Sequence, residues 1–228
     1  MRLRERISPN QDERPAGAVI DTLVLHYTGM RSAAEALDRL CDPAARVSAH
    51  YVVEEDGAVW RLVPEERRAF HAGVSHWRGR DGLNATSIGI EIVNPGHEWG
   101  YRPFPALQMA AACDLCLEIL ARHPIPARNV VAHSDVAPDR KQDPGELFDW
   151  QGLAANGVGL WPARDPSPPP PMDAAPALLA AIGYRTDLPL PVLLAAFQRH
   201  WRPERVDGVV DGGTLARLAA VAALCRGD

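Results

Sequence analysis

Ser87-Ile-Gly-Ile-Glu-Ile-Val93 is the stretch on which the fold turns. Ile88, Ile90 and Ile92 fall on one side of an extended chain, and Gly89, Glu91 and Val93 on the other. A face made only of isoleucine must be covered, so the spacing predicts a strand packed against another layer. Working outward, Asp21–Tyr27 (DTLVLHY) reads as a second apolar strand with His26 at its end. Ala49–Glu54 and Ala58–Val63 flank Glu55-Asp56-Gly57, a hairpin signal. Asn129–Ala132 is a short strand running into His133. Arg31–Cys41 and Pro105–Arg122 read as helices, the second with Met109, Cys113, Cys116, Leu117 and Leu120 on an apolar stripe. Strands and helices mix without strict alternation. The expected class is α/β, a central mixed β-sheet flanked by helices, plus a small all-α C-terminal domain.

Pro162–Pro176 (PARDPSPPPPMDAAP) divides the chain. Its seven prolines make an extended, semi-rigid segment that joins no core. The expected boundaries are a first domain over 1–162, a linker over 163–175 and a tail over 176–228. Pro176–Ile182, Pro191–Trp201 and Thr214–Cys225 have helical patterns, with Gly183 as a stop. Three short helices in about 50 residues are marginal on their own.

The chain has 228 residues and a net charge of −5, which excludes bulk electrostatic binding to nucleic acid or anionic lipid. The start, Met1-Arg-Leu-Arg-Glu-Arg, is charged and lacks the apolar run of a secretion signal, and no stretch is long enough to span a membrane. Cys113 and Cys116 form a CxxC without a second pair, so a small core pair is a better reading than a zinc knuckle. Unpaired cysteines and no export signal give a cytoplasmic expectation, unless the true start lies upstream or another route exports the chain. No obligate protein partner is indicated. Of the 24 basic residues, 23 are arginine and one is lysine, Lys141. Genome bias explains the arginines. The exception hints at a site that needs a compact ammonium and not a planar guanidinium.

A catalytic zinc site takes three ligands from His, Asp, Glu or Cys and leaves a position for water. His26 and His133 each stand at a strand end, where neighbouring strands bring their tips together. Asp143, in His133-Ser-Asp-Val-Ala-Pro-Asp-Arg-Lys141-Gln-Asp143-Pro144, precedes a proline and is therefore extended. In an extended segment Lys141 and Asp143 point the same way. Asp135 and Asp139 are rival ligands in a turn-like neighbourhood. Glu91, a charge in mid-strand between apolar neighbours, is either paired with an arginine or a general base. His50 is open between core and site. His76, His97, His123 and His200 read as surface or loop residues.

These residues carry a family likeness. Val24-Leu-His26-Tyr-Thr, Arg46-Val-Ser-Ala-His50, Phe70-His-Ala-Gly-Val-Ser75, Gly79-Arg-Asp81, Asn84, Ser87-Ile-Gly-Ile-Glu91 and His133 to Trp150 stand in order. Residues 18 to 162 resemble the zinc-dependent N-acetylmuramoyl-L-alanine amidases of the AmpD and phage-lysozyme type. The resemblance implies one Zn2+ ion held by His26, His133 and Asp143, with Glu91 and Lys141 assisting catalysis. It implies substrate contacts at His71, Arg80 and Asn84, and peptidoglycan or its muropeptides as substrate. It further implies hydrolysis of the amide between the lactyl group of N-acetylmuramic acid and L-alanine, in cell-wall turnover or recycling. A recognition protein with little turnover is the alternative. Ile182-Gly-Tyr184, Ala196-Phe-Gln-Arg-His200, Val206-Asp-Gly-Val-Val210 and Thr214-Leu215 make the tail resemble a three-helix peptidoglycan-binding domain. It departs at Asp211-Gly-Gly, where that family more often has a proline or glutamate before the threonine.

Overall fold

Runs of valine, leucine and isoleucine build the centre of one sheet, because branched side chains pack well on a pleated surface. The computed structural model describes residues 2–227. Its strands are β1 (Arg2–Glu5), β2 (Gln11–Glu13), β3 (Thr22–Tyr27), β4 (Tyr51–Val53), β5 (Ala58–Arg61), β6 (Arg67–Ala69), β7 (His76–Trp77), β8 (Arg80–Asp81), β9 (Ser87–Ile92) and β10 (Val130–Ala132). Six of them form a mixed sheet in the order β1-β5-β4-β9-β3-β10, antiparallel only between β5 and β4. The helices are α1 (Ala33–Cys41), α2 (Gly96–Trp99), α3 (Ala106–Arg122), α4 (His133–Val136), α5 (Trp150–Ala155), α6 (Ala175–Ile182), α7 (Leu190–Trp201) and α8 (Gly212–Gly227). The class is α/β, a mixed central sheet flanked by helices with a helical C-terminal region.

The isoleucine face does what its spacing requires. Ile88, Ile90 and Ile92 join Leu23, Leu25, Tyr51 and Val53 in one core with Ala112, Leu115 and Ile119 of α3. The buried face of α3 is Gln108, Ala111, Ala112, Leu115, Cys116 and Ile119. This corrects the stripe expected from sequence: Leu117 is exposed, and Cys113 is only partly covered. Ala111 and Ala112 join the sheet's core, and Leu117 does not. Gln108 fixes the docking by donating to the carbonyls of Val53 and Val93.

The opposite face positions the site. At one side Val52 and Val93 pack with Leu37 and Leu40 of α1, whose N-cap is Ser32. At the other side Val24 and Val131 pack with the tail. His26 and Glu91 are register partners on β3 and β9, between these two clusters. The linker is mostly exposed, as its prolines require, but the tail does not hang free from it. Leu179, Ile182, Phe197, Trp201 and Leu218 share one core with Val24, Ala72, Trp77, Leu83 and Val131. A marginal three-helix unit gains its core by completing that of the sheet.

Candidate metal centre

Register brings two histidines together. Ala132 pairs with Leu25, so His133, the next residue, stands beside His26 as α4 begins. The Ser134 N–H donates to the Asp143 carbonyl at 3.0 Å, which folds the following loop back onto the same point. His26, His133 and Asp143 are 1%, 3% and 6% exposed and form the single cluster of potential metal ligands among the described residues. His26 Nδ1 and His133 Nδ1 are 2.9 Å apart, and Asp143 Oδ2 is 3.1 Å and 2.9 Å from them.

The protons around this triangle can be placed one by one, because each chain ends on a backbone carbonyl that only accepts. Ser87 Oγ donates to the Leu83 carbonyl at 2.6 Å. Its oxygen therefore accepts from His71 Nε2–H at 3.1 Å. His71 Nδ1 is then an acceptor, and takes the proton of His26 Nε2–H at 3.0 Å. His26 Nδ1 keeps its lone pair. On the other side His133 Nε2–H donates to the Ala72 carbonyl at 3.3 Å, so His133 Nδ1 keeps its lone pair as well. With both imidazoles neutral, two lone pairs and a carboxylate oxygen face one another with no proton among them. A metal cation among them would reconcile that arrangement, and these three residues could hold one. Tetrahedral zinc with arms near 2.0–2.1 Å separates its ligand atoms by about 3.3 Å, so spacings near 3 Å fit it with little adjustment.

Electrostatics agree with neutral imidazoles. Burial first, and the His133 ring second, push His26 down to about 4, although Asp143 pulls the other way. Burial and the His26 ring hold His71 well below the ordinary histidine range. Burial alone would raise Asp143, but a proton on either neighbouring ring, His133 above all, pulls its carboxyl well below the usual range. Neutral histidines and an ionised aspartate are the forms that bind metal.

A cavity of about 490 Å³ opens over the triangle, with Glu91, Lys141, His71 and Arg140 in its wall. Glu91 Oε2 is buried and has no hydrogen-bond partner. Burial, then the Asp143 charge, hold its carboxyl well above the ordinary range, while Lys141 draws it back. No described arginine pairs with it. Lys141 makes no ion pair with any described residue.

The other residues singled out by sequence lie around this set. His71 sits behind His26 and orders its proton. Asn84 Oδ1 accepts from the backbone N–H groups of His71 and Ala72, and so holds the loop that meets both rings of the triangle. Arg80 pairs with Asp21 at 2.5 Å and does not line the cavity over the triangle. Asp135 and Asp139 lie outside the triangle. His50 accepts from the Gly89 N–H and lies beside Arg14, and burial pushes it down to about 3, so it supports the sheet. His200 corrects its reading as a surface residue: it is buried, because Trp150 and Trp201 stack on its two faces. Sequence reading missed Ser87, although it shares the strand face of Gly89 and Glu91. It also missed Tyr27 and Arg140, which line the cavity.

The profile of the N-acetylmuramoyl-L-alanine amidase family matches residues 16–146. The chain belongs to that family. It is 40% identical to the N-acetylmuramoyl-L-alanine amidase AmiD of Escherichia coli, over 89% of this chain and 82% of that protein. The structure of the same Escherichia coli enzyme with anhydro-N-acetylmuramic acid-L-Ala-D-gamma-Glu-L-Lys superposes with a TM-score of 0.81, covering 93% of each chain. AmpDh3 of Pseudomonas aeruginosa with anhydromuramic pentapeptide superposes at 0.80, 34% identical, over 94% of this chain and 96% of that one. An AmpD structure is similar over 68% of this chain, with a TM-score of 0.61. The chain is therefore an amidase of this type, and the longer likeness includes the C-terminal helices.

Gly89 explains why the strand between the isoleucines has a gap. A Cβ there would lie 2.4 Å from His71 Cγ and 2.5 Å from His71 Nδ1. Gly89→Ala is expected to drive the ring off His26 and to weaken zinc binding by about 10- to 100-fold, the usual effect of losing a ligand's outer partner. Competition with a chelating dye measures it, and unchanged affinity would show that His71 does not orient His26.

Proposed function

We propose that the chain is a one-zinc hydrolase that cleaves the amide between the lactyl group of N-acetylmuramic acid and L-alanine, in anhydromuropeptides released from the cell wall. The observation that carries this reading is the proton-free triangle of two imidazole lone pairs and one carboxylate oxygen, under a cavity that holds an unpartnered carboxyl and an unpaired ammonium. His26, His133 and Asp143 would hold the ion. When bound, zinc supplies Lewis acidity, which polarises a carbonyl and lowers the pKa of water.

The chain's own groups handle the protons. Glu91 Oε2 takes a proton from the water that attacks the lactyl carbonyl carbon. It passes that proton to the alanine nitrogen as the C–N bond breaks, so the peptide leaves as a neutral amine. Lys141 Nζ donates to the carbonyl oxygen as negative charge grows on it, a contribution of about 3–4 kcal/mol in comparable sites. A rotating ammonium with three donors can follow that oxygen as its geometry changes. The anhydromuramyl ligands of the two solved relatives support this substrate class. In the same reading the C-terminal helices keep peptidoglycan fragments near the site.

Mass spectrometry of an anhydromuropeptide digest tests the reaction. The expected products are the intact stem peptide with a free L-alanine amine and the peptide-free anhydro sugar. Shortened peptides or free acetate would assign the zinc to another reaction, and binding without products would favour recognition alone.

A further inference from the structure

The tail's contact with the catalytic domain has a polar centre. Asp135 is buried, two residues beyond His133 in the α4 turn. Its carboxyl group meets three donors. One is local, the Ala132 N–H at 2.8 Å to Oδ2. The other two come from the tail. His200 Nδ1–H reaches Oδ2 at 2.6 Å, and the Tyr184 hydroxyl donates to Oδ1. Each tail donor is itself fixed. The His200 ring lies between Trp150 and Trp201, 3.8 Å and 4.0 Å from their centroids. Tyr184 packs edge-on to Trp77, and the Gly183 carbonyl before it accepts from the Arg78 N–H at 2.9 Å.

The position of Asp135 matters because of what it adjoins. The turn that carries it begins with His133. Its Ser134 N–H binds the Asp143 carbonyl. One turn of helix therefore joins two of the three atoms of the triangle, and the tail supplies two of the three donors that anchor it. Without those donors a buried carboxyl would keep only the Ala132 N–H, and an under-partnered buried carboxyl costs more than the lost bonds were worth. The turn would shift to find others.

We infer that the C-terminal helices are part of the metal site's scaffold, with Tyr184 and His200 as positioning residues that act through Asp135 on His133. A tail serving only as a tethered polymer-binding module has no need of a buried bond to the turn that carries a ligand. The inference rests on the reading of His133 as a zinc ligand. Its test therefore includes that residue.

Zinc affinity is measured on full-length protein by competition with a chelating dye, and circular dichroism reports the fold of each metal-free variant. Tyr184→Phe removes one oxygen. His200→Phe keeps a stacking ring and removes the donor. Both are expected to weaken zinc binding by about 10- to 100-fold. His200→Asn loses the stack but places an amide N–H the same number of bonds from Cα as Nδ1. It is expected to restore affinity to within about threefold, well short of the loss typical of a missing outer partner. Wild-type affinity in both phenylalanine variants overturns the proposal, as does His200→Asn falling as far as His200→Phe, since stacking alone would then matter. If His200→Phe does not fold, Tyr184→Phe decides. His133→Ala is the control: if it binds zinc as wild type does, the ligand assignment falls and the proposal with it. If His133→Ala loses zinc while both phenylalanine variants keep it, the ligand assignment stands and only the scaffold role fails.

Discussion

Glu91→Gln is expected to keep its zinc and lose turnover by about 10²- to 10⁴-fold, the range for a positioned general base. The substitution preserves shape and volume on β9, beside His26 in the register. It removes only the ability to take a proton. In the wild type Oε2 is buried without a partner, so it is not committed to any structural bond. Replacing a structural carboxylate would cost stability, whereas here no described bond to Oε2 is lost and the amide never ionises in the buried place. Thermal stability is therefore expected to hold or rise while kcat falls. The pH profile supplies a second readout. Burial and Asp143 hold the Glu91 carboxyl well above its ordinary range. A base works only when deprotonated, so wild-type activity should fall as pH drops through that raised value. The variant's residual rate should lack this limb. Zinc content by mass spectrometry and kcat by product formation measure the two halves. A rate within threefold of wild type would remove Glu91 from the proton path.

The parts of this molecule that were legible in sequence are those with a local period. The alternation of Ser87–Val93 gave both faces of β9, and it put Glu91 opposite the isoleucine core. An extended reading before Pro144 turned Lys141 and Asp143 the same way; both line the cavity, but Asp143 lies in a turn there. What was hidden depends on partners distant in the chain. β1 is a charged run, Arg2–Glu5, that becomes a strand only because the edge of β5 accepts it. No spacing rule shows that Leu117 loses its buried place to Ala111 and Ala112. His200 looks like an exposed helix residue until two tryptophans and Asp135 enclose it. The order of protons from Leu83 through Ser87 and His71 to His26 needs three separate segments in contact. The lone lysine was visible at once in the composition, and the structure adds that no described carboxylate pairs with its ammonium.

Asp143→Ala is expected to remove zinc and, with it, almost all activity. The two imidazoles alone are neutral donors, and burial already pushes His26 down to about 4, which makes it a weaker base than free histidine. Asp143 is the only negative member of the triangle, and it stands 2.9 Å and 3.1 Å from the other two ligand atoms. Losing it removes both a ligand atom and the charge that offsets a divalent ion in a buried place. Zinc linkage turns this into a stability measurement. An ion that binds only the folded chain, at 1,000 times its Kd, stabilises it by about 4 kcal/mol. In a chain of this size each kcal/mol raises Tm by about 2–4 °C. Wild-type protein titrated with zinc after chelation should therefore gain about 8–16 °C by that conversion. Asp143→Ala should gain less than about 2 °C, the shift from well under 1 kcal/mol. Asp143→Asn separates the two losses, since it keeps an oxygen and drops the charge. A variant lacking this carboxylate whose Tm still climbs with zinc as the wild type's does would show that the ion sits elsewhere, and the proton-free triangle would need another explanation.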